Sequence, residues 1–589
     1  MELKDFLDRH ISESTDTNYI DVFPLRCGIG KTTYIKYAIS DALRNGRGLI
    51  VITDSLKRMK EYTSDSADND LVEYVSHNLK RIAILDSSNI STEIKTANYK
   101  PVLLMTTQRF FNLTKEEIID FTAYRYGARD RILFDEKIYI TEIREIRTKT
   151  INDIDTALHE CIDDTKNQED KAWLITEWEK FRDRIFGLIK EYEALNDDYF
   201  FEKWHFIEDD SVTEDDERFK KLIDRYRLDL NKFDGNAYRD ILAVIQLVEE
   251  GATFTSRKLK SKSSNSEYAN SFFIVIDNSD KLVDIGAKIF VFDGTADIDP
   301  DYDRGFINMV DCSQFKTDYP TLTIECIDLN TSQSRLCSRT SGNKTIKMLM
   351  DYINLLPYRY DALFTYKSMV QKFKDCFPKD YTPFIDYFGN IKGKNDYRSC
   401  ANIIQIGLNR YPDLVYKIKT EHNTLANVKT NKRCVVIIGS NFAERVKSTM
   451  FRAILADIEQ NLFRGKIRNA DCCDPVKYTI VLNVTEFMPM IEMMKERFSG
   501  ATIQIADTPT SFLAEQIKSR ENKKDSRAQR IIDWIFEQPN GTTFKISDML
   551  NELFMSQQNF KDAKKYNKSL VKIFKSMETG RRGYYTVRK

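Results

Sequence analysis

Over residues 19–136, short apolar runs that end in polar or glycine-rich turns alternate with stretches whose apolar residues recur every three or four positions. Tyr19-Ile-Asp-Val-Phe23 reads as a strand leading into a glycine-rich turn, and YIKYAISDAL follows as an amphipathic helix. Gly48-Leu-Ile-Val-Ile-Thr53, Val102-Leu-Leu-Met-Thr106 and Arg131-Ile-Leu-Phe-Asp135 read as further strands. The same pattern returns at Lys288-Ile-Phe-Val-Phe-Asp293, at Asp361-Ala-Leu-Phe-Thr365 and at Cys400-Ala-Asn-Ile-Ile-Gln-Ile-Gly407. Between the two groups the period is helical: ALHECIDD, KAWLITEWEKFRDRIFGLIKEYEAL and ERFKKLIDRYRLDL predict an inserted helical subdomain. Its aromatic stripe (Trp173, Trp178, Phe181, Phe186, Tyr192) reads as core packing, and the basic, Ser-rich stretch 256–265 as an exposed loop. Beyond residue 505 a charged connector precedes three helical segments starting near Gln529, Ile546 and Asp562. A short extended pair over 580–588 then completes winged-helix order.

The 589 residues exceed any single compact core, so two to four domains are expected. With 42% hydrophobic and 12% aromatic residues the chain has enough apolar material to pack them, which excludes a disordered class. A net charge of −1 means that any polyanion must be held by local basic patches. One such patch is at the end: residues 559–589 hold ten Lys/Arg against two Asp/Glu. The apolar runs are too short to cross a bilayer and MELKDFLDRH is too charged for a secretory signal, so a cytoplasmic, soluble protein is expected. Ten scattered cysteines without a C-x-x-C pair read as reduced core thiols. Five separated histidines leave a zinc hydrolase without ligands. Glu93-Ile-Lys95 has the spacing of a metal-nuclease motif but lacks a supporting acidic strand, and reads as surface.

Two segments carry phosphate chemistry. In Gly28-Ile29-Gly30-Lys31-Thr32-Thr33 the glycines let the backbone fold around anionic oxygens, and the helix N-terminus points N–H groups at them. Lys31 adds a positive charge and Thr32 a hydroxyl that can ligate magnesium. Leu25 stands where the full G-x-x-x-x-G-K-[ST] motif has its first glycine, leaving the shorter G-x-G-K-T form. The second segment is the strand end Asp135-Glu136. There a carboxylate can hold magnesium and a second can activate the attacking water.

With these two in place the chain resembles the superfamily-two (DEAD-like) helicases and translocases. Thr53-Asp-Ser55 and Thr106-Thr107-Gln108-Arg109 resemble the strand-end segments that touch a bound strand, and Asp293-Gly-Thr295-Ala-Asp297 resembles motif III. Thr365-Tyr-Lys367 is similar to motif IV, Gly393-Lys-Asn395-Asp396 to motif V, and Gln460-Asn-Leu-Phe-Arg464 with Arg468 to motif VI. The chain departs from the family at Lys137-Ile138 after Glu136, and at Arg468, which is one residue late. The resemblance covers about residues 15–145 and 270–470 and rests on motif order.

The resemblance implies an α/β fold of two tandem RecA-like P-loop domains, with a helical insertion in the first and a C-terminal winged-helix domain. The expected boundaries are 1–145 and 269–330 for the first domain, 146–268 for the insertion, 331–510 for the second domain, 511–526 for a linker and 527–589 for the winged helix. It implies ATP and Mg2+ as cofactors. Gly28, Ile29, Gly30, Lys31, Thr32, Thr33 and Thr295 would bind the nucleotide, and Thr32 and Asp135 the metal. Lys31, Asp135, Glu136, Gln460, Arg464 and Arg468 would be catalytic. A nucleic-acid strand, DNA favoured over RNA, would contact Ser55, Thr106, Gln108, Arg109, Thr365 and Asn395, with Lys564, Lys565, Lys568, Arg581 and Arg582 of the basic segment. Protein partners could use the insertion or the winged helix, and no membrane is expected. The expected activity is ATP-driven translocation or unwinding, relevant to replication or antiviral defence. The alternatives are a P-loop switch or loader that unwinds nothing, and a binding protein with a vestigial site.

Overall fold

In the computed structural model the described residues are 2–63, 75, 77–85, 96–161, 168–194, 202–204, 214–227, 229–230, 237–250, 252–258, 268–338, 341–378, 381–391, 394, 396–430, 442–469, 472–506, 527–553, 555, 557–566, 568–577 and 583–587. A seven-stranded sheet runs Ile307–Met309, Ile20–Phe23, Lys288–Phe292, Arg131–Asp135, Leu49–Thr53, Val102–Thr106, Ile82–Leu85, with every pairing parallel. Its central strands are apolar along their length because both faces are covered, the pattern that parallel sheets require. Helices Leu3–Glu13 and Lys31–Asn45 cover one face, burying Leu7, Ile11, Ile35, Ile39 and Leu43.

A six-stranded sheet, also all parallel, runs Phe384–Tyr387, Ala362–Thr365, Asn402–Ile406, Val476–Leu482, Leu322–Asp328, Thr502–Ile505. Helices Phe442–Leu462 and Val484–Arg497 pack on one side, through Ile454, Leu455, Met490 and Met494. The fold is therefore two RecA-like α/β domains in tandem, each a parallel sheet with helices on its faces.

The segment inserted in the first domain is not purely helical, which corrects the expectation. Thr141–Arg147, Tyr268–Asp277, Ala252–Lys258 and Glu202–Trp204 form an antiparallel sheet in that order, beside helices such as Gln168–Ala194 and Ala237–Glu250. The alternation in Tyr268–Asp277 puts Phe272 and Ile274 into the core that also takes Trp178 and Phe181, while Trp173 and Phe186 pack at its edge. The side chain of Tyr192 and residues 259–265 of the basic stretch lie outside the described residues.

The C-terminal unit also differs from expectation. Its described residues form four helices, Arg527–Glu537, Ile546–Glu552, Gln557–Tyr566 and Lys568–Ser576. Tyr584–Thr586 pairs antiparallel with Thr543–Lys545, where Phe544 stacks on Tyr585 at 6.2 Å. The connector 511–526 lies outside the described residues. Among those described, no helix is long and apolar enough to cross a membrane.

Arg129, fully buried, fixes the loops below the first sheet. Its guanidinium donates to the carbonyls of Pro101, Phe121, Ala123, Ala97 and Lys100 at 2.5–3.2 Å with no carboxylate in the set, and burial lowers its pKa to about 10. Arg129→Met would leave five acceptors without donors. A loss of at least about 3 kcal/mol is expected, at about 1–3 kcal/mol for each buried group left unmade, read as a lower thermal midpoint of the first domain.

Candidate functional site

The residues singled out above gather at the carboxyl ends of the first sheet's strands, where open α/β sheets place their ligands. After Ile20–Phe23 the chain turns through Gly28 and Gly30, at φ of +87° and +108°, a region that L side chains rarely adopt. Helix Lys31–Asn45 starts directly after, so its first N–H groups face the turn. Lys31 is 8% exposed, Thr32 is half-buried, Thr33 is exposed and Ile29 packs on the core beneath.

Asp135 ends the neighbouring strand but one and is 3% exposed. The Tyr62 hydroxyl donates to its Oδ2, and Arg58 Nε lies 3.4 Å from the same oxygen. Arg58 also reaches Glu136 Oε1 and Glu61 Oε2, each at 3.2 Å. Glu136 has φ +107°, a strained backbone for a non-glycine residue. Burial and the neighbouring Glu136 charge push the Asp135 carboxyl above its ordinary value, against the pull of Arg58. Burial pushes Glu136 the same way, but Arg464, Arg58 and Lys31 together outweigh it and hold that carboxyl below its ordinary range. The neighbouring acids are thus driven apart.

Beside them, Asp293 Oδ1 accepts both the backbone N–H and the hydroxyl of Thr295 at 2.9 Å, and Tyr302 donates to Oδ2 at 2.9 Å. Lys137 bridges Asp299 and Asp301, the latter at 2.6 Å, so the residue that departs from the family pattern still ties the acidic strand end to the following segment.

The second domain reaches this cluster with several side chains. Gln460 Nε2, near the end of helix Phe442–Leu462, donates to Thr295 Oγ1 at 3.3 Å. Arg464, 4% exposed, places Nη2 4.0 Å from Glu136 Oε1. Arg497 pairs with Glu459 at 2.7 Å and with Asp297 at 2.5 Å, and donates to the Gly294 carbonyl at 2.7 Å. Arg468 ends a short 3-10 turn, and its carbonyl oxygen would lie 2.1 Å from a Cβ added at Gly28. Lys31, Asp135, Glu136, Thr295, Gln460, Arg464 and Arg468 therefore share one cleft.

The expected strand contacts are more scattered. Ser55 is half-buried and Gln108 exposed, whereas the Thr106 hydroxyl caps helix Thr107–Phe111 by accepting the Arg109 N–H. Arg109 does not face solvent: it is 7% exposed near Glu117 and Arg227 of the insertion, and burial followed by the Arg227 charge lowers its pKa. Thr365 is fully buried and donates to the Ile406 carbonyl at 3.2 Å, so its hydroxyl is not available to a ligand either. In the basic segment Lys564 lies over the Phe574 ring at 5.4 Å. The side chains of Lys565 and Lys568, and Asn395, Arg581 and Arg582, lie outside the described residues. So do Glu93 and Lys95. No cluster of His, Cys, Asp and Glu fit to hold a metal by itself occurs among the described residues.

Sequence reasoning missed Arg58, Tyr62 and Arg497. For the first two a signal existed, since residues four apart share a helix face and both follow a strand end already marked as a contact segment. Arg497 carries no local signal; only the packing of its helix brings it to the cleft.

No protein-family model matches this chain, and no curated protein sequence does. Solved structures similar to it include Xpd4 of S. tokodaii (12% identity over 86% of this chain and 100% of that one, TM-score 0.45). A ligand-free XPD is similar at 13% identity, 85% and 100% coverage and TM-score 0.45. Mss116p bound to single-stranded RNA and AMP-PNP gives 11% identity, 94% and 82% coverage and TM-score 0.30. Likenesses this remote carry no functional weight, and the reading below rests on the chain's own residues.

Two outcomes test the closed cleft. Gly28→Ala adds about 1–3 kcal/mol of backbone strain and a clash with the Arg468 carbonyl, and is expected to part the domains, seen as a larger radius of gyration with both domains still folded. The second concerns Asp301, whose carboxyl burial pushes up but whose partners Lys137 and Lys419 bring down to about 2. Its folded value lies below an unfolded value of about 3.9, so its contribution is full at neutral pH and lost as pH falls from about 4 to about 2. Lys419→Met is expected to move the acid limb of domain closure to higher pH.

Proposed function

We propose that this chain is an ATP-dependent nucleic-acid translocase or helicase, hydrolysing ATP between its two α/β domains. The observation that supports this most is Arg464 of the second domain, directed at the Glu136 carboxylate beside Lys31 of the first.

The donor set fits a magnesium–nucleoside triphosphate: two positive-φ glycines opening a helix, a largely buried lysine, a first-turn hydroxyl and the Asp135 carboxylate two strands away in the same sheet. The loop amides and Lys31 would hold the phosphates, and Thr32 with Asp135 the metal. Bound there, ATP supplies the phosphoryl bond whose cleavage drives the cycle, and magnesium neutralises charge on it.

The rest is the work of this chain's side chains. Glu136, kept ionised by the cations around it, orients a water and takes its proton at a carboxylate oxygen. Arg464 meets developing negative charge from the opposite wall, with Arg468 beside it. Gln460, bonded to Thr295, reports to the second domain what stands beside Asp293. Closure over the cleft excludes water, and reopening shifts the domains relative to each other along a bound strand. Ser55, Gln108 and the basic C-terminal segment provide contacts of the sequence-independent kind, and the winged-helix order of that segment favours DNA.

Lys31→Ala and Glu136→Gln are each expected to lower ATP turnover by about a hundredfold or more, with the fold retained, and single-stranded DNA to stimulate the wild-type rate. The check is steady-state turnover with DNA, with RNA and with neither. A wild-type chain that hydrolyses no ATP under any of these conditions would overturn the reading. Hydrolysis without strand displacement would instead favour the switch or loader.

A further inference from the structure

Hydrogen bonds joined by short stretches of the chain itself lead from a surface expected to face nucleic acid, through Arg58, to the acidic pair. Thr107, next to the exposed Gln108, donates its hydroxyl to the Thr53 carbonyl at 3.0 Å. The Thr53 hydroxyl donates to the Ser55 carbonyl at 3.1 Å, and Ser55 Oγ accepts the Arg58 backbone N–H at 3.3 Å. The Arg58 side chain then spans to Asp135 and Glu136. Thr107 and Arg58 are each 7% exposed and Thr53 is fully buried, so the middle of the path is shielded from water, where such bonds are strongest. Tyr62, one turn beyond Arg58 on helix Leu56–Thr63, bonds Asp135, so this one helix holds both acids.

Glu136 is the point where a small shift has most effect. Its positive-φ backbone does not settle by itself, and its carboxylate position depends on the groups that grip it. From the first domain that group is Arg58; from the second it is Arg464. A planar guanidinium can serve Asp135, Glu136 and Glu61 at once, which a lysine ammonium cannot do with the same geometry.

We propose that Arg58 is a positioning residue that couples occupancy of the Ser55–Gln108 surface by a nucleic-acid strand to the orientation of the Glu136 carboxylate. Contact with the strand moves Thr53–Ser55, helix Leu56–Thr63 follows as a short rigid unit, and the acidic pair is carried with it. This rests on the ATPase reading above.

The experiment measures ATP turnover of the full chain with and without saturating single-stranded oligo(dT), beside nucleotide and strand affinities and thermal midpoints. The variants are Arg58→Gln, Arg58→Lys, Thr107→Val and the Arg58→Gln/Thr107→Val pair. Arg58→Gln is expected to lower strand stimulation by a factor within the 5–150-fold range of ordinary coupling energies, about 1–3 kcal/mol, while the KM for ATP and strand affinity stay within about twofold of wild type. Arg58→Lys restores part of the stimulation. Thr107→Val, which leaves the partners of Asp135 and Glu136 in place, lowers stimulation with basal turnover unchanged, and the pair is no worse than Arg58→Gln alone. Stimulation that survives both Arg58→Gln and Thr107→Val overturns the coupling, as does an equal loss of basal and stimulated turnover. If Arg58→Gln unfolds the chain, Thr107→Val decides on the same terms. A wild-type chain without turnover overturns the ATPase reading and the coupling with it; strand-stimulated turnover that is indifferent to these variants overturns the coupling alone.

Discussion

The site depends on the cost of holding so many acids out of water. Asp135, Asp293, Asp299, Asp301 and Glu459 are each no more than 4% exposed, and Glu136 stands among them. An isolated buried carboxylate costs several kcal/mol, and excellent geometry with opposing charge is needed to recover it. Here the opposing charges come from both sides of the cleft: Lys31, Arg58 and Lys137 from the first domain, Lys419, Arg464 and Arg497 from the second. Neither domain neutralises the cluster alone, so the energy of closure is tied to the state of the charges between them. Any change of charge in the cleft must move the balance between open and closed.

The same arithmetic explains the insertion's placement. Asp277, which ends its long strand Tyr268–Asp277, meets Arg304 of the first domain and His422 of the second, the latter at 2.9 Å. Burial pushes the Asp277 carboxyl up, but its bonds to His422, Ser279 and Arg304 hold it well below the ordinary range. Bidentate contacts of Arg227 with Glu117, at 2.8 and 2.7 Å, anchor the insertion to the first domain from another side. It is thus joined to the two domains by charge rather than by a shared apolar core.

What could be read from the chain was what is local. The glycine turn at 28–30, the apolar run ending at Asp135 and the Gln460–Arg464 spacing each carry a pattern within a dozen residues, and the structure brings all three into one cleft. The parallel strands were readable because burial on two faces writes them as unbroken apolar runs, as in Leu49–Thr53. The antiparallel sheet of the insertion was not, since Glu202–Trp204 has only three residues and Ala252–Lys258 is polar-rich and follows a strong helix. Thr543–Lys545 is three residues long and is defined by its partner Tyr584–Thr586, which no local window contains. Thr365 and Arg109 were misjudged for one reason: a polar residue at or just past a strand end reads as a contact, yet Thr365 is turned inward to the Ile406 carbonyl and Arg109 is buried near Glu117 and Arg227. Arg497 is the converse case, a helix-end arginine whose role exists only in three dimensions.

The account stands or falls on whether both domains grip one triphosphate, and the most direct measurement is a structure determined with a non-hydrolysable ATP analogue and magnesium. It predicts Lys31 and the Arg464 guanidinium both within hydrogen-bond distance of the terminal phosphate, with Thr32 and Asp135 around the metal. An analogue bound away from the Gly28–Thr32 turn, or held there with Arg464 turned out of reach, would contradict it.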